Sequence, residues 1–139
     1  MANAFSVSVD VDAPAGVAWQ VAGDPAGVPR WYTAYESCTV DGDRRVLRRA
    51  GGAEVVERLV ARDDARRSYS YSVVAGVPVT DHLASIEVED TGRGSRVVWR
   101  TSATPRNPDA DLEALLAGRQ RAALEVLKEL IEETARSGA

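Results

Sequence analysis

The sequence predicts an α+β domain in which a curved, seven-stranded antiparallel sheet wraps around one long C-terminal helix, with two short helices after the first strand. Three observations lead there. Leu112, Leu115, Leu116, Ala122, Ala123, Val126, Leu127, Leu130 and Ile131 recur at three-four spacing, the apolar stripe of an amphipathic helix of about six or seven turns. From Thr33 to about residue 103 the chain is a series of short runs broken by turn residues. One further strand stands apart, at the start: Phe5, Val7, Val9 and Val11 alternate with polar residues and share one face.

Each element has a local reason. Asp12, Ala13 and Pro14 open a helix, since proline suits the first helical position, and Val17, Ala18 and Val21 supply a short apolar stripe. Asp24 and Pro25 repeat that start signal for a second short helix that ends at Trp31. Strands follow near 35–41, 44–50, 53–62, 66–75, 80–89 and 95–103. They are separated by turn signals at Asp41-Gly42, Gly51-Gly52, Asp63 to Ala65, Gly76 to Pro78 and Gly92 to Gly94. Asn107 as cap and Pro108 as first residue predict the start of the long helix. Asp109, Asp111 and Glu113 place negative charge in its first turns, and it ends near Arg136 and Gly138. No linker or repeat interrupts the order, so residues 1–139 form a single domain. A sheet this wide must curl to be covered by one helix, and a curled sheet gripping a helix leaves a hollow.

Composition excludes several classes. The net charge is −4, and the arginine pairs Arg44-Arg45, Arg48-Arg49 and Arg66-Arg67 sit among acidic neighbours, unlike the basic face of a nucleic-acid binder. Lys128 is the only lysine, and with much Ala, Val, Gly and Asp this matches the codon bias of a GC-rich bacterium. One cysteine, Cys38, excludes an internal disulfide, and one histidine, His82, leaves no metal-ligand spacing. No stretch approaches the roughly 18 apolar residues of a membrane span, and Met1 to Ser8 lack the pattern of a signal peptide, so a cytoplasmic location is expected. No nucleotide, flavin or metal motif is present, so no cofactor is expected; Gly92 to Gly94 lack the strand-to-helix context of a phosphate loop.

Strand alternation gives the facings. Val55, Glu57 and Leu59 share a side. Tyr69, Tyr71 and Val73 oppose Ser68, Ser70 and Ser72, so the tyrosines point inward. His82, Ala84, Ile86 and Val88 oppose Asp81, Ser85, Glu87 and Glu89. Val97, Trp99 and Thr101 oppose Arg96, Arg100 and Ser102. The inner wall is then aromatic and aliphatic with a few polar tips, the composition of a small-molecule pocket. An inward carboxylate costs several kcal/mol if unpaired. Glu57 is therefore either a base or ligand anchor, or half of an ion pair with Arg45 or Arg48. His82 is either a general acid/base or a hydrogen-bonded wall residue. Tyr69 and Tyr71 read as core aromatics before acids, Trp31 and Trp99 as packing residues that also touch a ligand, and Trp19 as an anchor for the first helix. Cys38 reads as a small apolar residue facing the hollow. Gly118 either lets the long helix approach the sheet or leaves room for a ligand.

A set of ordered segments carries a family resemblance: Val9 to Pro14 leading to Trp19, Asp24-Pro25, Trp31, Glu57 to Leu59, Arg67 to Tyr71, Gly94 to Trp99 and Leu124 to Lys128. Over nearly its whole length the chain resembles the START-like (SRPBCC) helix-grip superfamily, and in particular its small bacterial polyketide cyclase/dehydrase-type members. The resemblance implies an internal cavity for a small hydrophobic molecule and a cyclase or dehydratase of secondary metabolism acting without a cofactor. The alternative is a carrier, binding or sequestering resistance protein for a hydrophobic metabolite. Catalysis would fall to Glu57 and His82, and ligand contact to Trp31, Leu59, Tyr69, Tyr71, Trp99 and Leu115. The expected partner is the small ligand alone, bound by a monomer or homodimer. Leu112, Leu115 and Leu116 are expected at the outer end of the pocket, with Val126, Leu127, Leu130 and Ile131 sealing the core.

Overall fold

The computed structural model describes residues 3–138. Strand β1 spans Asn3–Val11, helix α1 Ala15–Ala22, and a 3-10 helix Pro25–Arg30. Strands β2 (Tyr35–Asp41), β3 (Arg44–Arg49), β4 (Glu54–Asp63), β5 (Ser68–Ala75), β6 (Val79–Asp90) and β7 (Ser95–Pro105) follow, then helix α2, Leu112–Ser137. All seven strands form one antiparallel sheet in the order β1-β7-β6-β5-β4-β3-β2. The expected architecture is the observed one. Strands β1 and β2 are consecutive in the chain but lie at opposite edges of the sheet. Helix α1 and the 3-10 helix bridge that distance, and the meander then returns to pair β7 with β1.

Side-chain alternation sets which face is covered. Val7 and Val11 of β1, Tyr69 and Tyr71 of β5, Ala84, Ile86 and Val88 of β6, and Val97 and Trp99 of β7 are all buried on one side. Helix α2 lies across this face, against β1, β7 and α1. Its C-terminal half seals the core: Leu124, Leu127 and Ile131 are fully buried. Val126 and Leu130, expected there too, are only half-buried at the edge of the stripe.

Helix α2 starts later than the sequence suggests. The Asn107 side chain accepts from the backbone N–H of Asp109, and its carbonyl from that of Ala110, so Asn107 closes a turn on itself. Asp111 caps the helix instead, accepting from the Ala114 N–H at 3.2 Å. This start puts Leu112 in a small cluster of its own with Val79 and Ala103. Irregularities in three strand pairs bend the sheet. β2 shifts register against β3 between Tyr35 and Ser37, and β4 shifts against β5 after Val56 and again after Leu59. β6 shifts against β7 between Thr80 and Leu83, where Asp81 takes a positive φ of 52°.

Gly118 sits on the exposed side of α2, and a Cβ there would meet nothing within 4 Å. It neither brings the helix close to the sheet nor makes room inside. Gly118→Ala should therefore raise stability by about 1 kcal/mol, the ordinary cost of glycine in a helix. Gly76→Ala should do the reverse, because Gly76 holds φ +97° and a Cβ would collide with the Glu54 carbonyl oxygen. Urea unfolding of both variants checks the pair of signs.

Candidate ligand cavity

The register of β3, β4, β5 and β6 builds the site row by row. Arg45 lies directly across from Glu57, and Glu57 from Val73, whose backbone N–H meets His82 on the next strand. Tyr71 lies across from Ala84, which pairs with Thr101; Tyr69 from Ile86, which pairs with Trp99. On β3, Arg45 and Leu47 are buried while Arg44 and Arg48 are exposed. The partner of Glu57 is thus Arg45; Arg48 faces out and pairs with Glu54.

Arg45 and Glu57 are 2 % and 5 % exposed. The arginine Nε donates to the carboxylate oxygen Oε1 at 2.8 Å, and Nη2 lies 2.6 Å from the same oxygen. Nη1 donates to the Pro25 carbonyl at 3.0 Å and to the Tyr69 hydroxyl at 3.2 Å, and the guanidinium lies 4.8 Å from the centre of the Tyr71 ring. Burial pushes the Glu57 carboxyl above the ordinary carboxylate range, and Arg45 opposes that shift. No described group donates to the second oxygen, Oε2, and Glu57 lines the cavity.

His82 has one nitrogen committed. Its Nδ1 accepts from the Val73 N–H at 3.0 Å, and burial pushes its pKa down to about 4. The neutral ring therefore carries its proton on Nε2. In this arrangement His82 is a hydrogen-bonded wall residue, one of the two roles open to it from the sequence, and its Nε2–H is the group available to donate. Tyr71 accepts from the Trp99 indole at 2.9 Å, which leaves its own O–H free to donate. Both tyrosine hydroxyls are held well away from ionisation by burial.

These groups border a cavity of about 50 Å³. That is space for a few waters, well short of the roughly 300 Å³ at which small-molecule sites begin. Rings fill the rest. Trp31 and Tyr32 both meet Trp99 edge-on, at centroid distances of 5.7 and 5.8 Å. Even so, polar atoms in this wall go unmet: Trp31 Nε1 and Gln120 Oε1 are buried with no partner, although Gln120 Nε2 donates to Thr101. Each such group costs about 1–3 kcal/mol unless something fills it.

Of the residues expected from the sequence, Glu57, His82, Trp31, Tyr69, Tyr71 and Trp99 border the cavity. Leu59 and Leu115 do not. Leu59 keeps the inner side of Val55 and Glu57 and packs half-buried against the core, outside the cavity lining. Leu115 is 39 % exposed, because the face toward the sheet runs through Leu112, Leu116 and Gln120. Sequence reasoning missed Tyr32, Tyr35, Arg45 as a wall residue, and Gln120. Arg45 was within reach, since it alternates with Leu47; Gln120 reads as a polar break in the stripe; the tyrosines lie where a turn enters a strand and carry no periodic signal. Trp19 anchors α1 from outside, donating to Asp64 at 2.9 Å. Cys38 lies against the Pro25 carbonyl and is not part of the wall.

A family model described as polyketide cyclase / dehydrase and lipid transport matches residues 3–132. The chain belongs to that family. No curated protein matches it. Among solved structures, it is similar to an uncharacterised protein of Bacillus thuringiensis, at 27% identity and a TM-score of 0.83, over 93% of this chain and 98% of that one. The Zhui aromatase/cyclase of Streptomyces sp. R1128 shares the fold, at 20% identity and TM-score 0.82, over 100% and 99% of the two chains. So does norcoclaurine synthase of Thalictrum flavum with dopamine and hydroxybenzaldehyde bound, at 20% and 0.76, over 96% and 88%. No helix among the described residues is long and apolar enough to cross a membrane.

Two outcomes follow from the buried groups. Arg45→Met should cost about 3–5 kcal/mol, because it strands a buried carboxylate, and Glu57→Leu added to it should recover most of the loss; urea midpoints of the single and double variants decide. His82 titrates near 6.5 when unfolded and about 4 when folded. Between those values only the unfolded chain takes up the proton, so this contribution to stability is present above pH 6.5 and lost as pH falls to about 4. His82→Gln keeps an acceptor for Val73 and should flatten that part of the stability–pH curve relative to wild type.

Proposed function

We propose that the protein binds a small, largely apolar molecule in this cavity and turns it over by proton transfer, as a cyclase or dehydratase of the polyketide kind. One observation carries the reading: Arg45 grips a single oxygen of Glu57 and leaves the other unpartnered at the cavity wall. A carboxylate so held is oriented, and its burial-raised pKa suits a general base. In this reading Oε2 takes a proton from a carbon beside a substrate carbonyl. The developing enolate oxygen accepts hydrogen bonds from the Tyr71 O–H and the His82 Nε2–H. Ring closure forms a carbon–carbon bond between that carbon and a second carbonyl carbon, whose oxygen takes up a proton. In a dehydration, the proton on Glu57 passes to the departing hydroxyl, which leaves as water. The aromatic wall contributes by holding a flexible chain folded. The fold shared with an aromatase/cyclase and with norcoclaurine synthase supports this class of chemistry.

A second reading, a carrier or sequestering protein, draws support from the family's lipid-transport members and from the pairing of Glu57, which a purely structural ion pair would also show. Either function requires the wall to move, since the cavity as it stands holds only water-sized contents.

Incubation with flexible oligoketide thioester analogues, followed by mass spectrometry, separates the two. Turnover, read as loss of water or as a chromatographically distinct isomer of the same mass, supports the enzyme; recovery of the unaltered compound supports the carrier. Glu57→Gln, checked for folding by circular dichroism, should lower turnover by about 10²-fold or more with little change in affinity. Tyr71→Phe, which keeps the ring, should lower it less. Unchanged turnover in both would remove the proton-transfer assignment.

A further inference from the structure

A second concavity lies on the other side of two of these wall residues. It is an open cleft of about 450 Å³ between the segment Trp31 to Ala34 and the middle of α2, with Ala122, Ala123 and Val126 as its apolar floor. Trp31 and Tyr32 border both the cleft and the inner cavity, so they form the partition between the two spaces. Two arginines flank the cleft, Arg49 from β3 and Arg119 from α2. Among the described residues neither has a carboxylate partner, whereas seven of the other arginines do: Arg45, Arg48, Arg62, Arg66, Arg96, Arg100 and Arg121; what sets Arg49 and Arg119 apart from the remaining unpaired ones is that both border this cleft. The neighbours of Arg119 three and four residues away are Leu115, Leu116, Ala122 and Ala123, so its helix face offers no acid. Arg49 Nε is buried without an acceptor. Both guanidinium groups act on the Tyr32 phenol, which burial and Tyr35 push up to about 12 while Arg119 and Arg49 pull it back.

We propose that this cleft is the mouth of the cavity and recognises an anionic head: the ligand is an amphiphile whose apolar body passes the Trp31–Tyr32 partition while a carboxylate or phosphate stays on Arg49 and Arg119. The physical grounds are complementary. An apolar floor and two uncompensated cations select a molecule that is apolar at one end and anionic at the other. Tyr32 is half-buried on a turn, held by ring contacts to Trp31, Tyr35 and Trp99 and by no side-chain hydrogen bond among those described. It can swing out at the cost of those contacts, whereas Trp31 is 1 % exposed and fixed. The cleft has room for a ligand and the inner cavity as it stands does not, so a ligand held first at the arginines would widen the cavity from outside. This inference rests on the ligand-binding reading of the cavity.

Isothermal titration calorimetry with naphthoate, naphthyl phosphate and naphthamide tests it, the three sharing one apolar body. Wild type should bind at least one of the anions about tenfold or more tighter than the amide, equivalent to about 1.4 kcal/mol. The tighter of the two anions identifies the head group as carboxylate or phosphate. Arg49→Gln with Arg119→Gln should bring the anions down to the amide's affinity and leave the amide unchanged. Arg119→Gln alone, at an exposed position that cannot disturb the core, should remove part of the preference. Equal binding of anions and amide by wild type, or a preference that survives in the double variant, overturns the anionic mouth while leaving the cavity reading intact. If the amide fails to bind along with both anions, the cavity reading falls with it.

Discussion

The buried pair of Arg45 and Glu57 is the constraint around which the open end of this molecule is arranged. Placing two charges inside costs several kcal/mol per ion before their attraction and hydrogen bonds repay it. Here repayment is spread over four elements. The guanidinium joins β3 to β4 through Glu57, to the 3-10 helix through the Pro25 carbonyl, and to β5 through Tyr69, with its face over Tyr71. The short 3-10 helix has little apolar surface of its own to bury, and this contact helps fix Trp31 beyond it. Such a pair specifies position more than it adds stability, since apolar residues of the same shape would cost less to bury.

The long helix divides its work along its length. Toward the C-terminus, Leu124, Leu127 and Ile131 are packed with no exposure. Toward the N-terminus the same face presents Leu116 and Gln120 to the cavity, and Gln120 ends with one atom paired and one unmet. A fully apolar stripe would have closed this region. The unmet atoms of Gln120, Trp31 and Glu57 mean that the domain retains polar capacity at the centre of an aromatic cluster, and that is where specificity for an oxygenated ligand can arise.

How much of this is legible before folding depends on whether a residue's role is set by local periodicity. The inward facing of Tyr69, Tyr71, His82 and Trp99 follows from alternation within single strands, and the register joins them into one wall. Leu59 obeys the same rule and packs against the core, but alternation sets only its side of the sheet, not whether it reaches the cavity. Leu115 fails because a three-four stripe admits residues on its margin, and only the packing against the sheet decides which margin is buried. The start of α2 went to Asp111 over Asn107 because two good capping residues lie four apart, and the burial of Leu112 chooses between them.

The sequence by itself determined the element order, the curled sheet around one helix and the identity of most wall residues, because hydrophobic period and turn chemistry are local properties. Only the tertiary structure decided which arginine neutralises Glu57, that His82 spends its basic nitrogen on the Val73 backbone, and how little space the aromatic rings leave. Those outcomes depend on distances between strands and on rings from separate segments competing for one volume, and neither quantity exists along the chain until it folds.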